Sequence, residues 1–79
     1  MIDTVFKVGD LIYFNLEADF AVIYDIYTTY RGNNVYERTI KIFWQREQTT
    51  TTYFNSSLEF MIAKRSIEYP VGKQSMFKQ

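Results

Sequence analysis

The chain has no cysteine and no histidine. Disulfide staples, thiol nucleophiles, imidazole bases and the common zinc ligands are excluded together, and most familiar enzyme chemistry goes with them. Proline occurs once and glycine three times, too few for a disordered linker. No apolar run approaches the roughly 20 residues that a bilayer-spanning helix needs, and the acidic, polar start over residues 1–4 does not read as a secretory leader. The expectation is a soluble protein with the cytosol as its default place and no membrane partner. Neither sign of charge dominates, since nine Lys and Arg face nine Asp and Glu. No sequence-wide field exists to hold the chain on phosphate or on an anionic surface. With 79 residues there is room for one small domain, whose core must be dense because so short a chain buries only roughly 60% of its unfolded surface.

What is abundant is β-forming side chains. Val, Ile, Thr, Tyr, Phe and Trp make up 36 of the 79 residues, while Ala and Leu are scarce. Such residues suit a pleated, half-buried surface. Val8-Gly9-Asp10 reads as a turn leading into a strand over 11–15, with Ile12 and Phe14 on one face and Leu11 and Tyr13 on the other. A polar stretch over 15–19 precedes a second strand over 20–29 that is apolar on both faces, which suits a strand bending across a barrel. Arg31-Gly32-Asn33-Asn34 is the clearest hairpin signal, because Gly and Asn accept positive φ. The strand over 38–46 alternates almost strictly, with Ile40, Ile42 and Trp44 on one side. A turn within 46–50 leads to a fourth strand over 51–54. Asn55-Ser56-Ser57 reads as a capped 3₁₀ turn, and Leu58, Phe60 and Ile62 alternate as a fifth strand over 58–62. Pro70 and Gly72 discourage pairing in the remainder. The expected fold is all-β: a small five-stranded SH3-like barrel over 1–68, with one 3₁₀ turn before the last strand and a C-terminal arm over 69–79.

These elements carry a resemblance. Val8-Gly9-Asp10-Leu11-Ile12-Tyr13, Ala21-Val22-Ile23-Tyr24-Asp25-Ile26, Ile42-Phe43-Trp44 and Tyr53-Phe54-Asn55-Ser56-Ser57-Leu58-Glu59 together resemble the small SH3-like β-barrel proteins of tailed bacteriophages, over about residues 5–62. The chain departs from that pattern in having Asp19-Phe20 where a glycine usually precedes the second strand, and in a longer second hairpin. The resemblance implies architecture more than role. It also implies a phage-encoded protein, located in the host cytoplasm or in the virion.

Candidate chemistry is sparse. Glu17, Asp10, Asp19 and Asp25 match no cation-ligand loop. Ser56 and Ser57 lack an activating base and suit capping. The glycines at 9, 32 and 72 are isolated, so no phosphate loop exists, and nothing calls for a cofactor. A nucleic-acid surface is the alternative reading: Arg31, Arg38, Lys41, Arg46, Lys64 and Arg65 supply charge, and Tyr27, Tyr30, Tyr36 and Phe43 supply stacking faces. Glu37, Glu47, Glu59 and Glu68 interleave with them, which is the pattern of a solvated face. A cation cage of Tyr13, Tyr24, Trp44 and Tyr53 is conceivable, although core packing accounts for Trp44.

The informative anomaly is a surplus of apolar side chains. Thirty-seven residues are hydrophobic, against roughly two dozen that a barrel of this size hides. The surplus candidates are Leu11, Tyr13, Ile23, Tyr27, Tyr30, Phe43, Met61, Tyr69, Met76 and Phe77. A contiguous patch among them would mark a protein interface. The expectation is a non-enzymatic protein-docking or structural module, a virion accessory or an inhibitor of a host protein, that binds a protein partner or itself. Tyr13, Tyr27, Tyr30, Phe43, Met61, Tyr69 and Phe77 carry that contact, and the arm orders on binding.

Overall fold

A computed structural model describes residues 6–69 and residue 71. Among these described residues five strands and one helix follow one another as β1 (Leu11–Phe14), β2 (Asp19–Gly32), β3 (Val35–Trp44), β4 (Thr50–Phe54), α1 (Asn55–Ala63) and β5 (Ile67–Glu68). All five strands form one antiparallel sheet in the order β4-β3-β2-β1-β5.

Alternation decides which face is buried. Ile12 and Phe14 of β1 pair with Ala21 and Asp19 of β2, Ile23 pairs with Ile42 of β3, and all six side chains are buried. Ile40, Leu58, Ile67 and Phe6 complete the core, with Ile26, Trp44, Tyr53, Met61 and Ile62 packed against it. Ile23 thus belongs to the interior, not to the exposed surplus. Between Ile23 and Asp25 the register shifts. Tyr24 is the extra residue of this β-bulge, and a bulge bends its strand. The bend returns Ile26 to the inner face opposite Ile40. This explains why the sequence of β2 looks apolar on both sides.

The β2–β3 hairpin closes on Asn33 and Asn34, with φ of 53° and 61°, preceded by Gly32 at 95°. Two consecutive left-handed residues make the tight turn whose twist matches that of its strands. The hairpin is longer than the other strands can cover, and the molecule measures 46 × 31 × 23 Å. At its tip Tyr30 and Tyr36 pair across the strands with ring centroids 5.1 Å apart.

After β4 the chain departs from expectation. Neither a 3₁₀ turn nor a strand over 58–62 forms; residues Asn55–Ala63 are α-helical. Leu58, Met61 and Ile62, spaced i, i+3 and i+4, face the core together, whereas a period of two would have aligned Leu58 with Phe60, which is exposed. Six mostly apolar residues satisfy both periods, and burial of the helical stripe decides between them. The Asn and Ser side chains do not cap this helix, whose N-cap residue is Phe54. Instead the Ser56 N–H donates to Glu37 Oε2 of β3 at 3.3 Å, so a distant carboxylate meets the positive end of the helix dipole. At the other end Arg65 takes a φ of 66°, and the Arg65 and Ser66 N–H groups donate to the Ile62 and Met61 carbonyls, closing the last turn.

Among the described residues the fifth strand is therefore β5, which pairs with β1 through Tyr13–Glu68 and Phe14–Ile67. Tyr69 is packed into the domain: its ring lies 4.7 Å from that of Phe6, and its hydroxyl donates to the Asp10 carboxylate. Burial and this hydrogen bond raise the Tyr69 pKa well above the ordinary value of 10.0. A raised folded-state value favours the protonated form, so the stabilisation is complete below pH 10 and fades as pH climbs past it. Urea midpoints should hold level up to about pH 10 and fall above it. The Tyr69→Phe protein should show a shallower fall, the remainder coming from Tyr53, whose pKa is also raised.

Candidate protein-interaction surface

The outer face of the sheet carries the aromatic surplus. Cross-strand register sets Tyr13 beside Phe20, Leu11 beside Val22, and Val22 beside Phe43. The Tyr13 and Phe20 rings lie 4.8 Å apart. Tyr24 follows on the same side by plain alternation, the bulge brings Tyr27 there as well, and the Lys41 ammonium sits 5.8 Å from the Tyr24 ring centroid and 5.9 Å from that of Tyr27. The lysine stem thereby bridges two exposed aromatics instead of interrupting them. The result is an apolar band crossing β1, β2 and β3, with Glu68 at one end and the Asp25–Lys41 pair set between Tyr24 and Tyr27 at the other.

Of the residues expected at an interface, Tyr13, Tyr27 and Phe43 lie in this band, and Phe20, Val22 and Tyr24 join them. Tyr30 is on the opposite side of the sheet, at the hairpin tip with Tyr36. Met61 is half-buried on α1 and packs against the core, as Tyr69 does near Phe6. Phe77 and Met76 lie outside the described residues. Phe20, Val22 and Tyr24 share one face by alternation, but the phase of Tyr27 depends on a bulge that no residue type announces.

A second feature is the open side of the sheet. Among the described residues β4 pairs only with β3, and β5 only with β1. The two edges flank a seam bordered by the β1–β2 loop and α1. A cavity of about 310 Å³ lies there, lined by Phe14, Tyr53, Phe60, Met61 and Ile67, with Leu16, Glu17 and Lys64 around it. Leu16 is 91% exposed and Phe60 63%. Next to it, a cavity of about 210 Å³ is bordered by Glu17, Asp19, Glu47, Trp44 and Thr51. The loop holding Leu16 and Glu17 is fastened: Asp19 accepts N–H bonds from Phe20 at 2.8 Å and from Arg46 at 3.1 Å, and the Arg46 guanidinium donates to the Glu17 and Ala18 carbonyls. Glu17 and Tyr53 line the larger cavity together; burial raises the Tyr53 pKa, and the Glu17 carboxylate pushes it the same way. The sequence marks Glu17 only as one of four carboxylates that match no cation-ligand loop, and it gives no sign of Leu16, since a loop leucine carries no periodic signal.

The six cations of the nucleic-acid reading do not gather. Arg31 stacks 4.3 Å from the Phe54 ring centroid and pairs with Glu37 at 3.6 Å. Arg38 donates to the Phe6 carbonyl at 2.9 Å on the inner side, Arg46 is held by the β1–β2 loop, and Lys64 lies over the Phe60 ring at 5.1 Å. Lys41 is in the outer band, and Arg65 closes the helix. The proposed cation cage does not converge either, because Tyr13 and Tyr24 face outward while Trp44 and Tyr53 pack against the core. Among the described residues no group of three or more Asp or Glu is placed to hold a metal ion, and no helix is long and apolar enough to cross a membrane. No family model, curated protein or solved structure matches the chain.

Proposed function

We propose that this chain is a non-enzymatic protein-docking module built on an SH3-like barrel, and that its outer sheet face is the docking surface. The barrel reading is supported by the strand order β4-β3-β2-β1-β5, by the bend at Tyr24 and by a helical segment ahead of the last strand. The docking reading rests on one observation, the continuous apolar band from Tyr13 and Phe20 through Val22 and Phe43 to Tyr24 and Tyr27. Isolated exposed aromatics are ordinary, but a contiguous band on one face is the signature of a contact surface. Its aromatic content suits an energetic centre. The resemblance to small phage barrels supports a virion accessory role or the capping of a host protein, with a protein partner or a second copy on the band.

Sedimentation and capture with purified protein test this. The parent chain should form a complex, with itself or with a captured protein. Tyr24→Glu combined with Tyr27→Glu should weaken that complex at least tenfold while lowering stability by less than about 1 kcal/mol, because both side chains lie outside the core, 41% and 43% exposed. A parent chain that stays monomeric and captures nothing, or a complex indifferent to both substitutions, would refute it.

A further inference from the structure

The seam is a second surface, independent of the outer band, and its chemistry specifies an occupant. Three observations converge on it. The first is backbone. The Trp44 N–H donates to the Thr49 carbonyl at 2.8 Å, and antiparallel ladders alternate. Thr51 opposite Ile42 and Tyr53 opposite Ile40 therefore also turn their backbone groups toward β3. Thr50 and Thr52 turn theirs toward the seam, as Phe54 does its N–H, its carbonyl being taken by the first turn of α1. β4 carries no Pro, Lys or other charge, the devices that usually guard such an edge.

The second is shape. Thr51 and Tyr53 project to the same face two residues apart, and each borders one of the two cavities. The spacing between alternate side chains of an added strand is the same. The larger cavity is floored by Phe14, Tyr53 and Met61 and rimmed by Leu16 and Phe60, large apolar side chains left in water.

The third is charge. The smaller cavity is bordered by Glu17, Asp19 and Glu47 against a single cation, Arg46, whose guanidinium is already taken by two carbonyls. Among the described residues the only ion pair is Arg31–Glu37, so Glu17 and Glu47 face this cavity without a basic partner.

We propose that the seam takes an extended segment of a partner protein as an added strand beside β4, carrying a large apolar side chain over the Phe14–Tyr53–Phe60 cavity and a Lys or Arg beside Glu17 and Glu47. Main-chain bonds to Thr50, Thr52 and Phe54 supply affinity, and the two cavities read alternate side chains. A strand antiparallel to β4 meets Tyr53 before Thr51, so the motif reads apolar, any residue, basic from N- to C-terminus.

The probe is a library of random nine-residue peptides selected on the immobilised full chain, followed by synthesis of the enriched peptides and of their Lys/Arg→Glu counterparts. Enrichment of the apolar-x-basic pattern is expected, with saturable amide shifts and slowed exchange at Thr50, Thr52 and Phe54. The Glu counterparts should bind about fivefold more weakly, the size of an exposed charge contact. Glu17→Lys with Glu47→Lys should reverse that preference, and Tyr24→Glu with Tyr27→Glu should leave it unchanged, which separates this surface from the outer band. No enrichment, peptides without the basic position, shifts confined to the outer band, or a preference untouched by the charge reversal would each overturn the proposal.

Discussion

Phe14→Ala is expected to lower the unfolding free energy by about 3–5 kcal/mol, near the upper end for a single core truncation. The ring is 3% exposed and lies between two others, 4.5 Å from the Trp44 centroid and 5.9 Å from that of Tyr53. Both partners would lose their packing, and neither can follow the missing ring. Trp44 is held by a bond from its indole N–H to Thr51 Oγ1 at 2.8 Å, and Tyr53 is fixed in the β3–β4 ladder. Small domains have about 5–15 kcal/mol in total, so the variant should be close to half unfolded in mild denaturant. The urea midpoint, read at unchanged slope, checks this. A loss below about 1 kcal/mol would mean that Phe14 is not the floor of the seam.

Phe60→Pro is expected to cost about 3 kcal/mol, whereas Phe60→Ala should stay within about 0.5 kcal/mol of the parent. The contrast isolates the backbone, because the Phe60 side chain is mostly solvated and contributes little packing. Position 60 is in the interior of α1, where proline removes one i to i−4 hydrogen bond and its ring meets the carbonyl of residue 56. Alanine keeps that bond and has the higher helix propensity. Paired urea denaturation and far-ultraviolet dichroism give both readings. Were the segment a strand, alternation would put Phe60 with Leu58 in the core, and Phe60→Ala would itself be severe.

That segment shows where the sequence is legible and where it is not. Ile40, Ile42 and Trp44 alternate with Thr39, Lys41, Phe43 and Gln45, and Gly32-Asn33-Asn34 accepts positive φ, so β3 and its hairpin turn could be read, although the strand runs over Val35–Trp44 and not 38–46. Leu58 to Ile62 is too short and too uniformly apolar for periodicity to separate helix from strand. The deciding influences are Glu37, 19 residues upstream of the Ser56 N–H it receives, and the core side of Leu58, Met61 and Ile62. Both are tertiary. The outer band was half legible: Phe20, Val22 and Tyr24 share one face by alternation, as Leu11 and Tyr13 do, but the bulge at Tyr24 resets the phase of β2 and so decides the side of Tyr27. The seam was not legible, because it is an arrangement of a loop, an edge and a helix that no local pattern encodes.

The pairing of β5 with β1 has a consequence for biosynthesis. The β2–β3 hairpin joins neighbours in sequence and can zip as soon as its turn leaves the ribosome, since local contacts close with little entropic loss. Strand β1, made earlier, must wait. Its outer side is completed only when residues 66–69 emerge, and the bond from the Asn15 side-chain amide to the Arg65 carbonyl spans 50 positions. A nascent chain that has emerged only as far as Ala63 thus presents a finished hairpin and an unlatched first strand, and protease resistance should arrive in one late step as residues 66–69 dock against β1.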